Sequence, residues 1–191
     1  MAQYTIAVIV GSLRKESINR KLATALARLA PNEFEFRQLR IDDLPLYNQD
    51  DDANQPAPTK RLKSELQAAS GVIFVTPEYN RSIPGVLKNA IDHASRPYGQ
   101  SAWEGKPTGV IDTTGGAIGT ALAQKDLRNI LAYLDMPTMG QPEAFVQTKQ
   151  DTYDADGNLA GDARDFLQKW MDRYCEFVKQ HADAAQQRKA A

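Results

Sequence analysis

A single cysteine, Cys175, among 191 residues excludes an intramolecular disulfide framework and a cysteine-rich zinc site, and two histidines leave a histidine-based metal centre poorly supplied. Charge of one sign is equally scarce: 23 Lys and Arg stand against 24 Asp and Glu, a net charge of -1, so no global field recruits nucleic acid or an anionic membrane. A local basic patch is compatible with that balance. No apolar run approaches the roughly 20 residues that span a bilayer. The opening Met-Ala-Gln-Tyr-Thr leads straight into five apolar residues without a basic n-region or a small-residue cleavage pattern, so the sequence predicts no signal peptide and a reducing, cytoplasmic setting. Twelve Gly, ten Pro and 25% charged residues are ordinary shares, which excludes collagen-like and disordered chains. The length and the 42% hydrophobic content predict one globular domain over residues 1–191 with a sizeable core.

Apolar patterning then sets the architecture. Ile6-Ala7-Val8-Ile9-Val10, closed by Gly11, and Val72-Ile73-Phe74-Val75, closed by Thr76-Pro77, read as strands buried on both faces of a parallel sheet. Between them, Ile18, Leu22, Leu26 and Leu29 form one helical stripe ending before Pro31. Phe34 and Phe36 alternate with charged residues as an edge strand does. Residues 40–58, rich in Asp, Pro, Asn and Gln, predict a long loop, and Leu62, Leu66 and Ala69 the next helix. Gly109-Val110-Ile111 is a weaker core strand, followed by helical stripes on Leu122, Leu127, Ile130, Leu131 and Leu134 and on Phe166, Trp170, Tyr174 and Phe177 or Val178. Strands alternating with helices imply an α/β layer fold with right-handed crossovers. Ligands in such sheets bind outside the carboxyl ends of the strands, which directs attention to three strand-to-helix turns.

The first turn, Gly11-Ser12-Leu13-Arg14-Lys15-Glu16-Ser17-Ile18-Asn19, leaves a buried strand and enters a helix whose first N–H groups are free to bind an anion. Ser12, Ser17 and Asn19 add donors and Arg14 and Lys15 add charge, a set suited to a phosphate monoester. Ser17 as a plain helix cap, with the two cations solvated, is the competing reading. The second turn, Pro77-Glu78-Tyr79-Asn80-Arg81-Ser82-Ile83-Pro84-Gly85, is bracketed by prolines that restrict its backbone. It can present backbone groups to a planar heterocycle beside the Tyr79 ring, which could equally be a packing aromatic. Lys88 and Asp92 read as an i,i+4 pair on a helix surface. The third turn, Thr113-Thr114-Gly115-Gly116-Ala117-Ile118-Gly119, fails the dinucleotide fingerprint because Thr114 occupies the place of its first glycine. Its adjacent glycines still permit close backbone approach to a ligand, or make a simple tight turn.

Other patterns fail on spacing. Gly99 and Gly105-Lys106 are one residue too far apart for a Walker loop, and Pro107 stands at its Ser/Thr position. A calcium loop around Asp154-Ala155-Asp156-Gly157 would begin on Thr152 and end on Ala163, so a turn is expected there. No G-x-S-x-G elbow exists. His93 and His181 each stand alone on helical segments and read as surface or interface residues, Cys175 as a small buried residue, and Asp50-Asp51-Asp52 as a solvated loop run.

Taken together, the stretches 11–19, 76–92 and 114–128 resemble the NAD(P)H-dependent FMN reductase family, most closely its bacterial quinone and chromate reductases, and the resemblance extends over nearly the whole chain. It implies a flavodoxin-like three-layer sandwich with five parallel strands in the order 2-1-3-4-5. The cofactor implied is FMN, with NAD(P)H as co-substrate. By the same resemblance Ser12, Arg14, Ser17 and Asn19 hold the FMN phosphate, Pro77, Glu78, Tyr79 and Asn80 line the isoalloxazine, and Thr114, Gly115 and Gly116 close its far side. The chain departs from many members at His93, where they carry Trp, and at Thr114-Gly115-Gly116, where many carry Ser-Pro-Gly. The first departure lies on the helix implied to pack near the subunit interface and acceptor pocket.

The chemistry implied is hydride transfer from NAD(P)H to flavin N5 and then reduction of a quinone, or of chromate or another oxidant, in ping-pong fashion. The protein needs no acid/base dyad for it, because the flavin carries the electronics. The resemblance also implies a homodimer, paired in some members into a homotetramer, with Arg128 and Glu143 placed for an inter-subunit ion-pair network or standing as unrelated surface charges. The alternative is a flavodoxin-type electron carrier served by a partner reductase. Such carriers tend to be strongly acidic, whereas this chain is near neutral with Arg14 and Lys15 in its first turn.

Overall fold

The computed structural model describes residues 3–116 and 119–190, with side chains to residue 182. Ala117 and Ile118 of the third turn lie outside the described residues. Five strands, β1 (Tyr4–Val10), β2 (Phe34–Gln38), β3 (Gly71–Val75), β4 (Thr108–Thr114) and β5 (Ala144–Gln147), form a parallel sheet in the order β2-β1-β3-β4-β5. Helices α1 (Ile18–Ala27) and α5 (Gly161–Ala190) cover one face, and α2 (Ala57–Ala68), α3 (Gly85–Ser95) and α4 (Ala121–Tyr133) the other. This is the flavodoxin-like arrangement that the alternating pattern and the resemblance implied.

The central strands are apolar on both sides because both sides are covered. Even-numbered Ile6, Val8 and Val10 of β1 meet α1 and α5, and Ala7 and Ile9 meet α2 and α3. The α5 contact is tight. Trp170 and Tyr174 stack with centroids 5.6 Å apart and lie over two glycines. A Cβ on Gly109 would stand 2.9 Å from the Trp170 ring, and one on Gly71 would stand 2.8 Å from the Tyr174 oxygen. The Tyr174 hydroxyl donates to the Val72 carbonyl at 2.9 Å, so its polar end is satisfied inside the core.

Three sequence expectations change. The stretch 40–58 is ordered: a 3-10 turn, Gln49–Asn54, takes up its acidic run with Asn48 as its cap, and α2 begins at Ala57. The edge strand β5 has only four residues, Ala-Phe-Val-Gln, too short a run for its alternation of buried and exposed residues to stand out. His93 is buried, not at the surface. Its Nε2 lies 2.8 Å from the Pro45 carbonyl, which can only accept, so that nitrogen carries a hydrogen, and its Nδ1 lies 3.0 Å from the Thr59 hydroxyl. Together with Asn89, which donates to the same Pro45 carbonyl and accepts the Tyr47 N–H, it pins the 44–48 segment to α3.

Candidate functional site

The order of the strands reverses between β1 and β3, so their following loops part to opposite sides and leave a crevice at the carboxyl edge. The register places Val10 beside Val75 and Val75 beside Ile111, so all three turns leave the sheet at the same edge. They enclose a cleft of about 310 Å³ lined by Ser12, Arg14, Ser17, Ile18, Asn19, Pro77, Glu78, Tyr79, Arg81, Thr113, Thr114, Gly115, Gly119 and Thr120. Of the residues given a binding role from the sequence, Lys15, Asn80 and Gly116 do not line it. A second hollow of about 290 Å³, with Tyr98, Tyr133 and Asp135 in its wall, contains no residue of the three turns.

In the first turn Ser17 caps α1: its Oγ accepts the Arg20 N–H at 3.2 Å. That contact uses a lone pair and leaves the hydroxyl hydrogen free to donate, so capping and anion binding are compatible. Ser12 is buried in the wall, Arg14 is exposed at the mouth, and the first-turn N–H groups of α1 have no acceptor within the helix. Asn19 is different. Its side-chain amide donates to the Thr113 carbonyl at 3.0 Å and accepts the Thr113 N–H at 3.0 Å, both buried. It stands in for the neighbour that β4 lacks where β3 has ended, and so fastens the first turn to the third.

The second turn is a tight hairpin. Tyr79 and Ser82 exchange both backbone hydrogen bonds, at 2.9 and 3.0 Å, around Asn80 (φ 51°) and Arg81 (φ 70°). Two successive left-handed residues are the signature of a type I′ turn, which Asn tolerates better than most residues do. This is why Asn80 is where it is: it shapes the loop and leaves Arg81 to face the cleft. The Glu78 carboxylate accepts the N–H groups of Leu122 and Ala123 at 3.2 and 3.1 Å, with Arg81 3.5 Å from its other oxygen. It therefore caps α4, whose own N-cap residue Thr120 makes no side-chain cap bond.

The third turn is bare. A Cβ built on Gly115 would meet nothing within 4 Å, so that stretch of the wall is open backbone. Thr114 Oγ1 accepts the Gly116 N–H at 3.1 Å and rigidifies the turn. Beneath it Thr113 is tied to Val146 and Thr148 of the β5 segment at 2.9 and 2.6 Å. Ile18, Arg81, Thr113, Gly119 and Thr120 are cleft residues to which the sequence reading gave no role. Arg81 carried a signal in its place directly after the turn-forming Asn80.

The arrangement is a cationic, donor-rich end at the first turn joined to a flat end with an aromatic ring on one side and bare backbone on the other. Residues 4–151 match the family model described as NADPH-dependent FMN reductase. The chain belongs to that family. It is 52% identical over 175 residues to a 2-hydroxy-1,4-benzoquinone reductase from a Burkholderia species, covering 91% of this chain and 96% of the relative. It is 51% identical over 177 residues to a quinone reductase from Pseudomonas putida, covering 92% and 95%. Among solved structures, FerB, a flavoenzyme NAD(P)H:(acceptor) oxidoreductase from Paracoccus denitrificans, superimposes with a TM-score of 0.89 at 46% identity, covering 93% of this chain and 98% of that one. As a family member the protein is an oxidoreductase whose cofactor is FMN and whose reductant is NAD(P)H.

Outside the cleft, several groups that the sequence brought forward have structural roles. Burial pushes the Cys175 thiol up to about 12, which makes it inert as a nucleophile. Arg128 donates to the Met139 carbonyl at 2.8 Å and lies 3.8 Å from Glu143 within the same chain. Lys88 and Asp92 pair on the surface of α3 at 2.8 Å, as their spacing predicted. Asp154 closes its own loop, accepting the N–H groups of Asp156 and Asn158 at 2.9 and 2.8 Å. No described helix is long and apolar enough to cross a membrane.

Proposed function

We propose that the protein is an NAD(P)H:quinone oxidoreductase with FMN held between the three turns. The observation that carries this reading is their convergence on one cleft whose two ends differ in chemistry as the two ends of FMN differ. Ser12, the Ser17 hydroxyl, Arg14 and the first-turn N–H groups of α1 hold the phosphate, where the positive end of the helix and the guanidinium favour a dianion. Asn19 also fastens that turn to Thr113, and its second amide hydrogen is left for the phosphate. Pro77 and Tyr79 flank the ring system, and Thr114 and Gly115 offer backbone to its edge. Glu78 acts through α4, holding the second turn to the wall of the cleft.

Bound there, FMN supplies two-electron chemistry, accepting a hydride at N5 and returning the electrons to an acceptor. The protein's share is position and exclusion of water. Half-exposed Tyr79 leaves room at the mouth for one planar partner at a time, which supports a ping-pong order in which nicotinamide leaves before the quinone enters. The names of the two similar bacterial reductases support a quinone as acceptor; chromate and comparable oxidants fit as incidental substrates. We read the enzyme as cytoplasmic.

The test is anaerobic mixing of the FMN-loaded protein with NADH or NADPH, followed by a quinone. The flavin absorbance bleaches on the first addition and returns on the second, with no partner protein present. Failure to bleach with either nicotinamide contradicts the reading and favours a carrier that depends on a separate reductase.

A further inference from the structure

Asp112 is a carboxylate in the interior of an apolar strand. It is fully buried on β4, two residues before Thr114, with its side chain on the face covered by α4. Its Oδ2 accepts from Gln124 Nε2 at 2.7 Å, and the same nitrogen donates to the Ala144 carbonyl of β5 at 2.8 Å. Its Oδ1 has no partner. Neither has the buried Gln124 Oε1, nor the buried Thr120 hydroxyl. Thr120 and Gln124 are four residues apart, on one face of α4, and Thr120 is part of the cleft wall. The Thr120 hydroxyl can supply one hydrogen, but the Asp112 and Gln124 oxygens are two acceptors without a donor; an ionised carboxylate leaves that shortfall, whereas a protonated one brings the missing donor.

The charges around Asp112 all act in one direction. From the second turn, the Glu78 carboxylate repels it through space. From α4 it receives a neutral amide, while Arg128, one turn further on, is directed to Met139 and Glu143. From β5 the Val146 N–H approaches without a well-formed hydrogen bond and, like the Gln124 amide, favours the ionised form, though less than burial disfavours it. Burial, with Glu78 adding to it, raises the Asp112 carboxyl to about 7.

We propose that Asp112 is a proton-linked positioning residue, protonated when an anion enters the cleft, so that binding of FMN is coupled to proton uptake beneath α4. The inference rests on the FMN reading of the cleft. A dianion between the turns repels Asp112 as Glu78 already does, and by linkage whatever ligand favours the protonated form binds more tightly when that form prevails. The proton converts Asp112 from a second acceptor into a donor for the unpartnered Gln124 oxygen of α4, and so fastens the start of α4, with its N-cap residue Thr120 in the cleft wall, to the sheet.

The experiment is calorimetric titration of FMN into the apoprotein at pH 6, 7 and 8, in two buffers of different ionisation heat, for the native chain and Asp112→Asn. The asparagine keeps an acceptor for Gln124 and adds a donor that does not titrate. The native chain takes up a fraction of a proton per FMN near pH 7.5, and its affinity relative to Asp112→Asn falls about three- to tenfold between pH 6 and 8. The comparison cancels the titration of the FMN phosphate itself. Equal buffer dependence in the two proteins overturns the inference while leaving the FMN site standing; no FMN binding at any pH overturns both. Should Asp112→Asn not fold, infrared difference spectra of the native chain with isotope-labelled aspartate decide the matter. A protonated-carboxyl band that grows on FMN addition and not on riboflavin addition supports the coupling, and its absence refutes it.

Discussion

On the α1/α5 face the sheet meets Trp170, Tyr174 and Leu22; of the polar ends buried there, the Tyr174 hydroxyl and the Asn19 amide are bonded to backbone, while the Trp170 indole N–H has no partner. On the α2–α4 face an equally apolar core carries His93 with Thr59, Asp112 with Gln124, and the unpartnered oxygens near Thr120. The first face is a scaffold whose buried titratable groups, the Tyr174 hydroxyl and the Cys175 thiol, are both held in their neutral forms by burial. The second holds polar groups poised against the loop and helix that border the cleft, so the same sheet separates rigidity from response.

Truncating Trp170 tests the first half of that contrast and has the largest expected effect. Trp170→Ala opens a void over Gly109 and costs about 3–5 kcal/mol, read as a lower denaturant midpoint, while FMN affinity of the folded fraction is unchanged. A loss of affinity alongside the loss of stability would mean that the α5 face is not mere scaffold. His93→Leu has the smaller effect. Pro45 keeps its bond from Asn89, and the Thr59 hydroxyl loses its partner, for about 1–2 kcal/mol. Amide hydrogen exchange should quicken in residues 44–48 and not in the first turn.

Much of this was legible in the residues. Unbroken β-branched runs at 6–10 and 72–75 located the inner strands, because burial on both faces removes the polar alternation that would otherwise mask them. The three turns stood out because Gly, Pro and Ser cluster where a strand ends and a helix begins. Less legible was what each side chain does there. Asn19 and Glu78 line the cleft as expected, but the further parts they play, one completing β4 and the other capping α4, are fixed by partners 94 and 44 or 45 residues away. His93 looked like surface because a lone histidine on a helix gives no sign of the Pro45 carbonyl opposite. Asp112 did leave a sign, an acid inside Gly-Val-Ile-Asp-Thr, and a charged residue in a strand of that kind marks a polar group with a purpose beyond packing.

The most direct check of the central claim is the equilibrium binding of FMN and of riboflavin, followed by flavin fluorescence, to the native chain and to Arg14→Ala. One FMN binds per chain, riboflavin binds markedly more weakly, and Arg14→Ala lowers the affinity for FMN about ten- to a hundredfold, as loss of a charge-assisted phosphate contact requires. Riboflavin binding as tightly as FMN, with Arg14→Ala indistinguishable from the native chain, would contradict that claim.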